Sequence, residues 1–389
     1  MKILVSHNAY QMRGGEDEVV DAEISLLRSY GHEVLAYRRH NDELQALGKV
    51  AAGFSTFWSR RSFSEIQQAC KDFSPDVIHA HNTFPLISPS LYWAADTCSV
   101  PVVQTLHNFR LLCPQATFLR QGKICEDCLG KGLWRAVERK CYRDSYTQTA
   151  VLAGMLSLHR ALGTFRHKVT RYIALNEFCR DKFIQGGLPA DRIRIKPNFS
   201  VSGRSAASPS RRGGLYVGRL SVEKGVDVLV EAAGTLAQAE IEIIGSGPLE
   251  TAAKDAFGER WVGFQPLDRI FERMNSALFL VLPSVCYESS PRTITEAFSC
   301  GLPVIASRLG ALPEIVDDGV TGLLFTPGDS TDLAAKIAWA CAHPERMEVM
   351  GKAARQEYEA KYTPEANYRT LLDIYHDAIA CTRPESEYA

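Results

Sequence analysis

Tyr287-Glu288-Ser289-Ser290-Pro291-Arg292-Thr293-Ile294-Thr295-Glu296-Ala297-Phe298-Ser299-Cys300-Gly301-Leu302-Pro303-Val304-Ile305-Ala306-Ser307 follows an apolar run, Ala277 to Leu282, that Pro283 and Ser284 break. The order is strand, loop, helix, strand. In an open α/β sheet the loop of such a unit lies at the carboxyl end of a parallel strand, where these folds bind ligands. Glu288 falls in the loop, and Glu296 falls in the helix that Pro291 is expected to start at its first position.

Working outward, the same alternation recurs on both sides. Leu215–Val217, Ile241–Ile244, Phe279–Leu282, Val304–Ser307 and Leu323–Phe325 are strand candidates, with helical stretches at Val226–Leu236 and Leu249–Phe257. Further back, Ile3–Val5, Glu33–Tyr37, Asp76–Asn82, Pro101–Asn108, Tyr172–Leu175 and Ile193–Lys196 repeat it. Short apolar strands alternating with amphipathic helices predict α/β structure with parallel sheets covered on both faces. Between the two series, Ser200 to Gly214 holds almost no large apolar residue and is the best linker candidate. The expected organisation is a domain over 1–199, a linker over 200–214, a domain over 215–365, and a C-terminal helix over 366–389 that packs back on the first domain. Two doubly wound Rossmann-like domains facing across a ligand cleft follow as the fold expectation.

The chain has 389 residues and a formal net charge of −1, with 46% hydrophobic and 23% charged residues. That is ordinary for a globular protein with a large core, and a nucleic-acid partner is not expected. The balance is local: between Arg110 and Lys196 stand 17 Lys and Arg against 7 Asp and Glu. Such a surface is either a solvated basic face or one that meets anionic lipid or a phosphate-bearing acceptor. The start, Met1 to Asn8, looks like a first strand and not a signal peptide, and no stretch approaches a membrane span of ~18 apolar residues. A cytoplasmic protein is expected, peripheral at the inner membrane face if the basic surface meets lipid.

Several short stretches carry candidate chemistry. Val217-Gly218-Arg219-Leu220-Ser221-Val222-Glu223-Lys224-Gly225 joins a strand to a helix, with glycine for close backbone approach and two cations for a diphosphate. A tight turn with two solvated charges is the plainer alternative. Gly245-Ser246-Gly247-Pro248 resembles the start of a dinucleotide fingerprint, but Glu250 stands where the third glycine belongs. An ordinary turn, which can still lie beside a base, is the better reading. Gly14-Gly15 after the first strand either brings backbone close to phosphates or the acceptor, or simply starts a helix. His107 sits at the carboxyl end of a strand candidate, as do His7, His79 and His81.

Cys113, Cys125, Cys128 and Cys141, spaced C-x11-C-x2-C-x12-C in an insertion over about 110–145, can form a tetrahedral thiolate site for structural zinc. Unrelated thiols and a redox pair are the alternatives.

Taken together, Gly218-Arg219-Leu220 with Lys224-Gly225, the Gly245-Ser246-Gly247-Pro248 turn, and Glu288-x7-Glu296 followed by Gly301 to Ala306 resemble the retaining glycosyltransferases of family 4. Gly310-Ala311-Leu312-Pro313-Glu314 and Asp318-Gly319-x-x-Gly322 extend the resemblance, which is strong from about Gly214 to Asp332 and looser in the first domain. It implies the GT-B fold, a nucleotide-diphosphate sugar held mainly by the second domain, and a saccharide or lipid-linked acceptor held mainly by the first.

By the same resemblance, Arg219 and Lys224 neutralise the leaving diphosphate, Glu288 binds the transferred sugar and Glu296 the ribose. His107 contacts the sugar near the reacting carbon. Gly14, Gly15, Gly218, Gly245, Gly247, Ser289, Ser290, Pro291, Arg292 and Thr293 complete the donor contacts. Ser289 to Arg292 departs from the commoner Gly-Phe-like filling, which bears on the sugar chosen. With two cations at the diphosphate, no divalent metal is required there. A nicotinamide-dependent oxidoreductase lacks its glycine fingerprint. A non-catalytic sugar-nucleotide binder, an epimerase or a sucrose-type synthase on the same fold remain alternatives.

Overall fold

The computed structural model describes residues 1–203, 211–236 and 240–382. The chain divides into two compact units. One comprises Met1–Ala116, Glu126–Lys196 and the chain from Tyr368 onward; the other comprises Thr117–Cys125 and Pro197–Asn367.

The first unit is built on strands β1 (Lys2–Ala9), β2 (Glu33–His40), β3 (Val77–Ala80), β4 (Val102–Thr105), β5 (Arg171–Ala174) and β6 (Ile193–Ile195). They form one sheet in the order β2-β1-β3-β4-β5-β6, every pairing parallel. β3 and β4 are buried along their whole length, as strands covered on both faces must be. Ile3, Val5, Val77, Val103 and Ile173 supply the sheet side of a core that helix α1 (Gly15–Ser29) closes with Val20, Ile24 and Leu27. Leu371, Ile374, Tyr375 and Ala378, spaced to share one stripe of the C-terminal helix Pro364–Ala380, complete that core. Burying each such side chain contributes about 1.5–3 kcal/mol.

The second unit repeats the plan with β7 (Gly214–Val217), β8 (Ile241–Ile244), β9 (Trp261–Gly263), β10 (Phe279–Leu282), β11 (Val304–Ser307) and β12 (Gly322–Phe325). Its order is β9-β8-β7-β10-β11-β12, again all parallel. Tyr216, Ile243, Phe279, Val281, Ile305 and Phe325 form the sheet side of its core. In both sheets the strand order reverses beside the first strand of the unit, between β1 and β3 and between β7 and β10. Loops leaving the carboxyl ends there diverge and leave a crevice for a ligand.

Two sequence expectations are corrected. The edge strand β9 was not expected, because Trp261-Val262-Gly263 is three residues long and ends in a left-handed glycine (φ +71), too short to show a strand period. Pro291 is the N-cap, with extended ψ of 115°, and the helix α2 (Arg292–Ser299) starts one residue later. Of the expected linker, residues 204–210 lie outside the described residues. At its near end Gly203 N donates to Ser299 Oγ at 3.1 Å. Among the described residues no helix is long and apolar enough to cross a membrane.

Candidate functional site

In the second unit the loops after β7, β8 and β10 interlock. Gly218 N donates to the Ile244 carbonyl at 3.0 Å and Leu220 N to the Ser246 carbonyl at 2.9 Å. A Cβ on Gly245 would come within 1.9 Å of the Gly218 carbonyl oxygen, and one on Gly247 within 2.5 Å of that of Leu220. Both glycines also hold φ beyond +130°. The Gly245-Ser246-Gly247 turn is therefore explained by backbone packing between neighbouring loops, without a dinucleotide. Gly225, at φ +68°, is held as tightly: a Cβ there would lie 1.8 Å from the Pro283 carbonyl oxygen.

This interlock sets the charges. Lys224 ends a short 3-10 turn (Val222–Lys224), and its ammonium donates to Glu288 Oε1 at 2.6 Å. Ser284 Oγ donates to the same oxygen at 2.7 Å. Burial opposes the lysine's charge, but the Glu288 carboxylate more than offsets it and raises the Lys224 pKa. Burial, with the Glu288 charge beside it, pushes the Cys286 thiol up to about 12, so this cysteine stays protonated. Arg219 is exposed on the loop between β7 and that turn, with its carbonyl fixed by Tyr216 Oη at 2.8 Å. On α2 the buried Glu296 accepts from Arg292, one turn earlier, at 3.0 Å. Ser289, Ser290 and Thr293 are partly exposed and Pro291 is buried. The ring of Phe118, from the Thr117–Cys125 segment of this unit, meets the Tyr287 ring edge-on at 5.8 Å. Nothing in the sequence indicated that neighbour of Tyr287, which lies far from it along the chain.

In the first unit, Gly14 is the N-cap of α1 and donates its N–H to Asp17 Oδ2 at 2.8 Å. Its φ of −123° is open to any residue, and a Cβ there would meet only Asp17 Oδ2, at 3.9 Å. Gly15 opens the helix and is exposed. Asp17 in turn accepts from His7 Nε2 at 2.8 Å, tying the end of β1 to the start of α1.

His107, two residues beyond β4, is part of a chain of rings. Its Nε2 and His81 Nδ1 are 2.8 Å apart, so one ring donates to the other, and the planes stack at 5.1 Å. The His79 ring lies 4.1 Å from that of His81, tilted by 34°, and its own nitrogens meet Tyr375 Oη at 2.7 Å and Thr105 Oγ1 at 2.8 Å. Burial lowers the pKa of His107 to about 3 and those of His79 and His81 well below their ordinary value. All three are neutral imidazoles near pH 7. Ligand atoms of Glu23, His79 and His81 lie within 4.8 Å of one another. The buried Lys196 ammonium, 3.5 Å from Glu23 Oε1, already supplies a cation there, and both His79 nitrogens serve hydroxyl groups. The trio is better explained as a buried polar network than as a metal site.

The four cysteines each sit in turn geometry. Cys113 N donates to the Phe109 carbonyl at 2.8 Å, Cys125 N to Phe118 at 2.7 Å and Cys141 N to Ala136 at 3.0 Å, while the Cys128 carbonyl accepts from Lys131 N at 3.2 Å. Ala116, Phe118, Gln121, Lys140, Arg143 and Asp144 around them all have positive φ. Regular structure here is limited to a two-residue hairpin, Leu119–Arg120 with Lys123–Ile124, and the helix Trp134–Glu138.

Two sequence families match the chain, each over one part of it. "Glycosyl transferase 4-like domain" matches residues 9–171 and "Glycosyl transferases group 1" matches residues 211–343. The chain is 28% identical to a sulfoquinovosyl transferase of Arabidopsis thaliana over 92% of its own length and 69% of that protein's. It is 30% identical to an amylovoran biosynthesis glycosyltransferase of Erwinia amylovora over 52% of its length and 55% of that protein's. Among solved structures, the Anabaena protein HepE in complex with UDP-glucose superposes with a TM-score of 0.68, covering 97% of this chain and all of that one at 18% identity. The paired parallel-sheet, Rossmann-like units are the GT-B fold. The chain belongs to the group 1 glycosyltransferases, family 4.

Proposed function

We propose that this glycosyltransferase moves a sugar, with retention of configuration, from a nucleoside-diphosphate sugar to a saccharide or lipid-linked acceptor in the synthesis of a cell-surface polysaccharide or glycoconjugate. The observation that carries the reading is the Lys224–Glu288 pair at 2.6 Å with exposed Arg219 on the same loop system. Cleaving a glycosyl–phosphate bond puts negative charge on the departing diphosphate, and fixed cations lower that barrier most when they are already in place. Lys224 is held charged by Glu288, and Arg219 is solvent-facing and free to meet an anion. The two cations make a divalent metal unnecessary at the diphosphate. The relatives' names and the UDP-glucose bound to HepE support a nucleotide-sugar donor and glycan products.

The donor is tested by thermal shift with UDP-, GDP-, ADP- and CMP-sugars, since a ligand that binds only the native state raises the melting temperature. A shift with one of them, lost in Arg219→Ala and reduced in Lys224→Ala, is expected. No shift with any of them, or full turnover in both variants, overturns the reading.

The spacing of Cys113, Cys125, Cys128 and Cys141, in a segment with little regular structure of its own, supports a structural zinc that would hold that segment's turns. Exposed Trp134 and Tyr146 lie under Arg135 and Lys140, at 5.5 and 4.7 Å, in the basic stretch. Aromatic rings beside basic groups support peripheral contact of a cytoplasmic enzyme with anionic lipid, tested by sedimentation with phosphatidylglycerol vesicles.

A further inference from the structure

The helix Lys49–Phe57 of the first unit has Lys49 as its only charged residue and carries apolar residues on both sides. Such a helix is ordinarily buried all round. One side is covered by the helix Tyr146–Ala161: a Cβ on Gly53 would meet Val151 Cγ2 at 3.8 Å, one on Gly154 would lie 3.1 Å from the Phe57 ring, and His159 Nε2 donates to the Phe57 carbonyl at 2.9 Å. The other side is open. There Val50 and Phe54 are each 74% exposed and Trp58, the C-cap, 39%. Phe54 and Trp58, with Leu47 and Leu86, line a groove of about 780 Å³. That volume falls within the ~300–1,000 Å³ of small-molecule sites. Trp58 is braced in the wall, its ring 5.4 Å from that of Phe63 and 6.4 Å from that of Trp93.

The charged lining of the groove is mostly cationic. Arg39, Arg60 and Arg61 stand there against one carboxylate, Glu43. Glu43 is already shared, since Arg39 Nε donates to both its oxygens at 2.9 and 3.0 Å and Arg61 Nη1 lies 3.2 Å from one of them. Arg61 also meets Glu65 Oε1 at 2.8 Å, whereas Arg60 is exposed and has no ion-pair partner among the described residues. Arg60 and Arg61 occupy the first turn of the helix Arg60–Phe73, which holds no acidic residue. An amino end favours anions, so two cations there leave it short of negative charge.

We propose that this groove binds a single anionic lipid molecule, its alkyl chain lying along Leu47, Phe54 and Trp58 and its phosphate head group meeting Arg60. A chain fills a concavity that a flat bilayer surface cannot enter, and each methylene taken from water adds to the hydrophobic gain. One unmatched cation beside an apolar trough is complementary to one negatively charged head. The site goes beyond the transferase reading: it lies within the first unit and uses none of the residues assigned to sugar transfer.

The test titrates the full-length protein calorimetrically with hexyl, octyl and decyl phosphate below their micelle concentrations, with octanol and with inorganic phosphate. Affinity is expected to rise about tenfold for each two-carbon lengthening, as methylene burial requires, with no measurable binding of inorganic phosphate. Phe54→Ser should weaken decyl phosphate about tenfold. Arg60→Gln should weaken it about fivefold and leave octanol unchanged. Both side chains are exposed, so the melting temperature and the nucleotide-sugar thermal shift of each variant should match the wild type. Affinity that ignores chain length, or that either variant leaves equal to wild type, overturns the inference. Binding to phosphatidylglycerol vesicles that Phe54→Ser abolishes, without any binding of decyl phosphate, assigns the face to a membrane surface and overturns it. A wild-type dimer that Phe54→Ser dissociates, again without alkyl-phosphate binding, assigns it to a second copy and overturns it too. The transferase reading stands in each case, because its own thermal shift is read separately.

Discussion

Lys224 Nζ and Glu288 Oε1 lie 2.6 Å apart, although 64 residues separate them along the chain. Their loops leave β7 and β10, which are hydrogen-bonded neighbours in the sheet, and Gly225 lets the first loop close onto the Pro283 carbonyl. The cation that would meet the donor diphosphate is thus positioned by the carboxylate that would meet the donor sugar. Lys224→Ala should do two separable things. Turnover should fall by about 100-fold or more, as for loss of a charge-stabilising group. The protein should also lose about 1–3 kcal/mol, because among the described residues the buried Glu288 retains the Ser284 hydroxyl as its side-chain partner. Glu288→Gln should restore much of the stability of Lys224→Ala in the double variant without restoring turnover, measured by urea unfolding and by product formation.

The glycines of the two units should respond differently. Gly225→Ala places a Cβ 1.8 Å from the Pro283 carbonyl at φ +68°, and an unfolding loss of at least about 2 kcal/mol is expected. Gly14→Ala has open space and an extended φ, so its stability should stay within about 0.5 kcal/mol of wild type. Any fall in activity in Gly14→Ala would then report a ligand approaching that backbone. Thermal melts of the two variants beside their turnover separate the cases.

Acid should loosen the first unit before carboxylate protonation does. The folded pKa values of His79, His81 and His107 lie below the ordinary 6.5, that of His107 at about 3, so the unfolded chain binds more protons between the two values. Their contribution to stability is complete above pH 6.5 and is lost as pH falls from there toward 3. A melting temperature that falls across pH 6.5 to 4, with a shallower fall in His81→Gln, is the expected result. An equal slope in that variant would assign the loss elsewhere.

Zinc at the four cysteines predicts about one equivalent of metal in protein purified without added zinc. Cys128→Ser should lose the metal and expose the 110–145 segment to proteolysis while leaving the second unit's nucleotide-sugar thermal shift in place. Metal-free protein with an intact, protected segment would remove zinc from the account.

Most strands could be read from the sequence because their cause is local. Ile241–Ile244, Phe279–Leu282 and Val304–Ser307 are apolar throughout or nearly so, as strands buried on both faces must be, and each was expected where it is found. Trp261–Gly263 escaped because an edge strand of three residues carries no period. Arg219, Lys224, Glu288 and His107 were legible as candidates since their residue types and loop positions fit the chemistry. What surrounds each of them was not legible, because those neighbours come from remote parts of the chain. The dependence of His107 on His81, and of His79 on Tyr375 some 296 residues later, was hidden for the same reason.

The sequence by itself determined the two series of parallel strands, the turns that need glycine, and the set of charged side chains at strand ends, because periodicity and backbone stereochemistry act over a few residues. Only the tertiary structure decided which of those side chains meet. Sheet order made neighbours of β7 and β10, burial stripped the histidines of their charge, and the pairing of β3 with β4 drew together His81 and His107. Such couplings depend on distances and desolvation that exist only once strands remote in sequence lie side by side.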